Sequence, residues 1–303
     1  MSLTKNDQVI LLSAKEDLFD QRFQQVLNKT DHLLERSPND PEVNFVKAQA
    51  LFKLNHFQEA QQLLIDFKDE MMVTKGLVAP MIEMSIKNGA FMFARELAAG
   101  SQNGFVSIEA GEVAYRQKKN RLLQQNTSRF AHASALSAYG QVQAVEAARW
   151  LPLKEYLLAA SGILRDPFAW QVTKTQILLE LVTVKADVTI TLNWLDRQDY
   201  QIKIAELKPI DQVKPLLSVL QMVEEAYSAT DPIKLQLVEK ELITQSHYIY
   251  PFFHKVITDP QYWKHLIIGQ LFGDDVAANS DSQRSMQDWV AVIHQAESEI
   301  NLQ

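Results

Sequence analysis

Along most of the chain, apolar residues recur at intervals of three and four, the period of helices buried on one face. One stretch departs from that period. In "DVTITLNWLDRQDYQIKIAEL", residues 187–207, Val188, Ile190, Leu192 and Trp194 fall on one side and Thr189, Thr191 and Asn193 on the other. Past the polar turn at Asp196–Asp199, Tyr200, Ile202 and Ile204 alternate again. The alternation predicts a β-hairpin with a four-residue connection. Two strands alone are marginal in water, so the apolar face needs neighbouring helices or a partner.

The helical part begins with an internal repeat. Phe23, Phe57 and Phe91 stand 34 residues apart without gaps. The same offset aligns Gln21, Asn55 and Gly89, then Val26, Ala60 and Ala94, and earlier Ala14, Ala48 and Ile82. Asp40 and Pro41 give a helix stop and restart between the first two copies. Small residues in both helices let the backbones cross closely, and the aromatic after the turn fills the wedge between them. Asn or Gly at the turn tolerates the left-handed conformation that ends the first helix. One such pair cannot bury its apolar face alone and needs stacked neighbours.

This pattern resembles the tetratricopeptide repeat over roughly residues 7–104, in three copies. The second copy, "PEVNFVKAQALFKLNHFQEAQQLLIDF", matches best, and Pro38 also sits where that pattern has it. Departures are Val26 and Ile82, bulkier than the pattern wants. Ile10, Asn44 and Val78 stand where it has Trp, and Ser13, Lys47 and Met81 where it has Leu. Pro80 shortens the third copy's first helix to a start near Ala79. The resemblance implies that the first helices line a binding face, with Leu11, Lys15, Phe19, Phe45, Gln49, Phe52, Glu83 and Ile86 among its residues. A set of basic and amide residues that grips carboxylate termini is implied absent: Leu11, Lys15, Val46, Gly76 and Pro80 occupy its places.

After the third copy the register is lost. Residues 101–140 read as one long helix or two with a bend, and Gly140 and "WLPL" punctuate the chain beyond it. Two helices then split at Asp166-Pro167. Beyond the hairpin come helices over 211–232, 233–245 and 259–273, a polar linker over 274–284, and a last helix with Met286, Trp289, Ile293 and Ala296 on one face. The phrases "LPLKEYLLAASGILRDP", "KTQILLEL" and "VTITLNWL" resemble a family of tetratricopeptide proteins of Gram-positive bacteria that carries no assigned activity. The expected organisation is a mainly α chain: a repeat domain over 1–105, an α-solenoid, and an α-helical domain with one hairpin over 106–303.

Composition narrows the function. The chain of 303 residues carries net charge −7, which disfavours holding phosphate backbones. It has no cysteine, which excludes thiolate chemistry and fits a cytoplasmic setting. No stretch has the ~20 apolar residues of a membrane span. Nine glycines leave little for phosphate-cradling loops, and no P-loop, dinucleotide or nucleophile-elbow motif occurs. The seven histidines form no metal-ligand spacing; His247, His254 and His265, near Asp259, are the one region with metal or acid–base flavour. The basic cluster "YRQKKNR", with Arg116, Lys118, Lys119 and Arg121, and Arg129 beyond it, reads as a solvated helix face or a landing strip for RNA.

The expected function is therefore a non-enzymatic protein–protein interaction scaffold, without cofactor or metal, holding a helical or extended segment of another protein. The chain's own second half would otherwise fill the face. An RNA-associated factor and a metal-dependent enzyme near His247 stand as alternatives. Pairing of hairpin edges would make a homodimer.

Overall fold

The computed structural model describes residues 3–101 and 104–298. It is mainly α with one antiparallel hairpin. The chain divides into two units, Met1–Gln124 with Arg149–Glu155, and Gln125–Ala148 with Tyr156–Gln303.

In the first unit, helices pair in sequence order: α1 (Lys5–Phe19) with α2 (Phe23–Leu34), α3 (Pro41–Lys53) with α4 (Phe57–Asp66), and α6 (Val78–Asn88) with α7 (Phe91–Ser101). A short α5 (Lys68–Val73) precedes the third pair. Thr4 caps α1 through a reciprocal capping box with Asp7, and Asp40 caps α3 ahead of Pro41.

The three turns are built alike. Gln21, Asn55 and Gly89, at the 34-residue offset, all have left-handed backbone, with φ of 62°, 66° and 80°. In each, that residue's amide returns to a carbonyl three back, Leu18, Phe52 and Ile86, at 3.1–3.3 Å. The next amide reaches five back, to Asp17, Leu51 and Ser85, at 2.8–2.9 Å. Paired returns of this kind satisfy carbonyls that a helix end would leave bare. Phe23, Phe57 and Phe91 each open the second helix. Ala14, Ala48, Ala60 and Ala94 are wholly buried, as is the bulkier Val26. Two apolar clusters result, one around Leu11, Val26, Leu33 and Val46, the other around Leu64, Met81, Phe91 and Leu97.

Next comes α8 (Phe105–Ala131), a long helix with non-helical backbone at Lys119, so the stretch is helical with a bend. Its residues 105–124 belong to the first unit and the remainder to the second. Gly111 lets α8 approach α6: a Cβ there would stand 2.4 Å from Ile86 Cγ2. Tyr115 lies edge-on to Phe91 at 5.2 Å. A buried ion pair joins α7 to α8, with the Arg95 guanidinium donating to both Glu112 oxygens at 2.8 and 3.1 Å.

The second unit contains α9 (Ala138–Ala148), most of α10 (Leu153–Arg165), α11 (Gln171–Thr183) and the hairpin of β1 (Thr189–Asn193) and β2 (Asp199–Lys203). It continues with α12 (Lys214–Tyr227), α13 (Pro232–Ile249), α14 (Phe253–Val256), α15 (Pro260–Phe272) and α16 (Asp281–Ser298). Thus α13 runs four residues past its expected end and takes in most of "HYIY", and α16 starts inside the expected linker. The register pairs Ile190 with Ile202 and Leu192 with Tyr200. The connection spans Trp194–Gln198, five residues rather than four, and the Trp194 amide bonds across it to Gln198 O at 3.0 Å. Ile190, Leu192, Trp194 and Ile202 are buried, as the alternation predicts. Trp194 packs against Phe252 and Trp289 at 4.9 and 5.1 Å, which gives the hairpin the helical cover it needs. No helix among the described residues is long and apolar enough to cross a membrane.

Candidate functional site

Two places concentrate accessible chemistry, one in each unit. The first is the set of positions on α1, α3 and α6 that the repeat pattern assigns to a binding face. Leu11 and Phe45 are buried in the two apolar clusters and do not reach the surface. Phe19 is 87% exposed. Lys15 Nζ bonds to Glu42 Oε1 at 2.6 Å, linking α1 to α3. Gln49, Phe52 and Ile86 are half-buried, and Phe52 lies edge-on to Phe57 at 5.2 Å. Glu83 is exposed and pairs with Lys87 one turn on. Ile82, Glu83 and Ile86 line a pocket of about 390 Å³ whose far side is Gly104 and Ser107, at the start of α8. The start of α8 therefore flanks the accessible side of α6.

The basic cluster is partly committed. Arg116 forms a two-pronged pair with Glu155 at 2.7 and 2.9 Å and lies 3.6 Å from Glu112. Lys118, Lys119 and Arg121 are exposed, and Arg129, also exposed, belongs to the second unit. His247 contacts Ile243 O through Nδ1 at 2.8 Å, His254 lies edge-on to Phe252, and His265 is exposed. Those three histidines do not converge. Among the described residues one group of potential ligands does, Glu241, His294 and Glu297, within 4.8 Å of one another. Burial and the neighbouring Glu241 raise the Glu297 carboxyl above its ordinary value.

The second place is a cleft of about 620 Å³ in the second unit. Its walls come from the start of α9, the loop and first turn of α11, the hairpin connection and α16. The Asp166-Pro167 restart builds one wall. Asp166 Oδ1 accepts from the Phe168 amide at 2.9 Å, which leaves the Phe168 ring 82% exposed at the rim. The Trp170 amide donates to Gln141 Oε1 at 3.1 Å and its indole to Tyr248 Oη at 3.2 Å. Trp170 offers α11 no side-chain cap.

One turn into α11 stands Lys174, 2% exposed, its ammonium donating to Asn193 O at 2.7 Å. No carboxylate lies within ion-pair distance of it among the described residues. Burial, with help from Arg197 and against attraction from Asp166 and Asp199, pushes its pKa down to about 8. Arg197, at left-handed φ in the hairpin connection, reaches across to Pro167 O. Asp196 is already satisfied: Lys255 Nζ and Tyr200 Oη both bond to it, at 2.6 and 2.7 Å. Burial pushes the Asp196 carboxyl up, but these two donors hold it below its ordinary value. The same Lys255 ammonium lies 5.0–5.6 Å from the rings of Trp194, Tyr200 and Trp289.

Sequence reading missed this cleft. Its one local signal was the Asp166-Pro167 break; the rest comes from residues up to 158 positions apart, Ala138 to Ala296. Comparison of the chain with protein-family models, with curated proteins and with solved structures returns no match.

Proposed function

We propose that the chain is a non-enzymatic interaction scaffold whose three helix pairs form a tetratricopeptide-like array, an α-solenoid that holds a segment of another protein. The observation that carries this reading is the threefold recurrence of one turn, at Gln21, Asn55 and Gly89, with Phe at the head of the second helix each time. Equal turns place equivalent first-helix positions in rows. Lys15, Gln49 and Glu83 form one such row, and Leu18, Phe52 and Ile86 another. The first row is polar and the second apolar, and both are at least partly accessible. That alternation suits an amphipathic helix or an extended segment with apolar side chains at regular spacing.

The test uses two exposed positions, so that folding is preserved. Phe19→Glu with Glu83→Lys alters the charge of the face at both ends. Crosslinking in cells, with mass spectrometry of the products, should show partners of the wild-type chain that the double variant loses at unchanged melting temperature. An identical partner set for both proteins would sink the reading.

A further inference from the structure

The cleft of the second unit brings a helix N-terminus and a buried cation to one place. The amides of Gln171, Val172 and Thr173, the first turn of α11, find no acceptor among the described residues, and no side chain caps them. Free amides and the helix dipole make this end of a 13-residue helix attractive to negative charge. A helix end alone would mean little. Here Gln171 and Lys174, on successive turns of α11, line the same cleft. The Lys174 ammonium is buried and spends one of its three protons on Asn193 O; neither of the others has a partner among the described residues. Burying a cation without a counter-ion is costly, and an anionic ligand would supply the missing charge. Arg197 adds a second positive group at the mouth.

The walls set the rest of the ligand. Trp170 and Trp289 line the cleft, and Phe168 projects at its rim. A volume of about 620 Å³ suits a small molecule. Asp288, facing the same space from α16 with no ion-pair partner among the described residues, disfavours a polyanion. Asp196 does not compete, because its Oδ2 accepts from Lys255 and Tyr200 and its Oδ1 from the Gln198 amide.

We propose that this cleft binds a small molecule with a flat apolar body and a single anionic head group, a carboxylate or a phosphate monoester, the head seated between Lys174 and the first turn of α11. This is separate from the protein-binding face of the first unit and stands or falls independently of it.

Isothermal titration of the full chain with phenylacetate, phenyl phosphate and benzylamine tests the assignment. Saturable one-to-one binding of at least one of the two anions is expected, with none of the amine; which anion binds tighter identifies the head group. Lys174→Met should weaken that binding by about tenfold or more, the worth of a charge-assisted hydrogen bond. Because Lys174 also supports the hairpin, Arg197→Gln and Phe168→Ser, at exposed side chains, provide a second reading and should each weaken it severalfold. The proposal is overturned if neither anion binds, if benzylamine binds as well as they do, or if folded Lys174→Met, or both exposed variants, bind as wild type does.

Discussion

Lys174→Met isolates the energetic consequence of burying an ammonium without a counter-ion. In the unfolded chain this lysine holds its proton up to 10.5, and in the fold only up to about 8. Below both values each state is protonated and the fold carries the whole penalty, about 3 kcal/mol from the difference between them. Between them the unfolded chain binds more protons, so stability rises with pH. By about pH 9.5 the penalty falls to about 1.5 kcal/mol. The charged groups that act on it are Asp166, Arg197 and Asp199. Methionine removes the penalty but leaves Asn193 O unpaired, which costs about 1–3 kcal/mol. At neutral pH the variant should therefore match wild type or exceed it by up to about 2 kcal/mol. Urea unfolding of both proteins at neutral pH and near pH 9.5 measures the gap. Wild type should gain about 2 kcal/mol on the variant across that range. A gap that does not change with pH, or that moves the other way, would refute the reasoning.

The helix pairs allow further tests. Gln21→Gly should raise the urea midpoint, because a non-glycine residue at φ 62° carries strain of about 1 kcal/mol or more; Asn55→Val, with a β-branched side chain at the equivalent turn, should lower it. Ala60→Leu inserts a side chain into a wholly buried crossing and should cost about 1–3 kcal/mol in the same assay. Glu112→Gln leaves buried Arg95 without its fork and should cost about 3–5 kcal/mol, with Arg95→Met added to it recovering much of the loss. If the double variant is no better than the single, the unpaired charge is not the source of the loss.

Much of the first unit was legible in the sequence because its signals are local. A left-handed turn, a small residue at a crossing and an aromatic at the head of the second helix act within one helix pair, so their 34-residue recurrence survives as a visible pattern; only Phe91 is buried as the expected wedge, while Phe57 is 43% exposed. The hairpin was legible for the same reason, since strand alternation is a property of neighbours. Position along a helix did not settle which side chains stay accessible. Leu11 and Phe45 hold places that the repeat pattern assigns to the binding face, yet both are absorbed by the apolar clusters. Arg116 read as part of a basic surface until Glu155, 39 residues on, took its guanidinium.

The sequence by itself determined the helix pairs, their turns and the strand alternation, all set by backbone preference and hydrophobic period over short distances. Only the tertiary structure decided where charge is left uncompensated. Lys174 is one lysine among many until α11, the hairpin connection and α16 close around it. Its chemistry comes from the water those elements exclude.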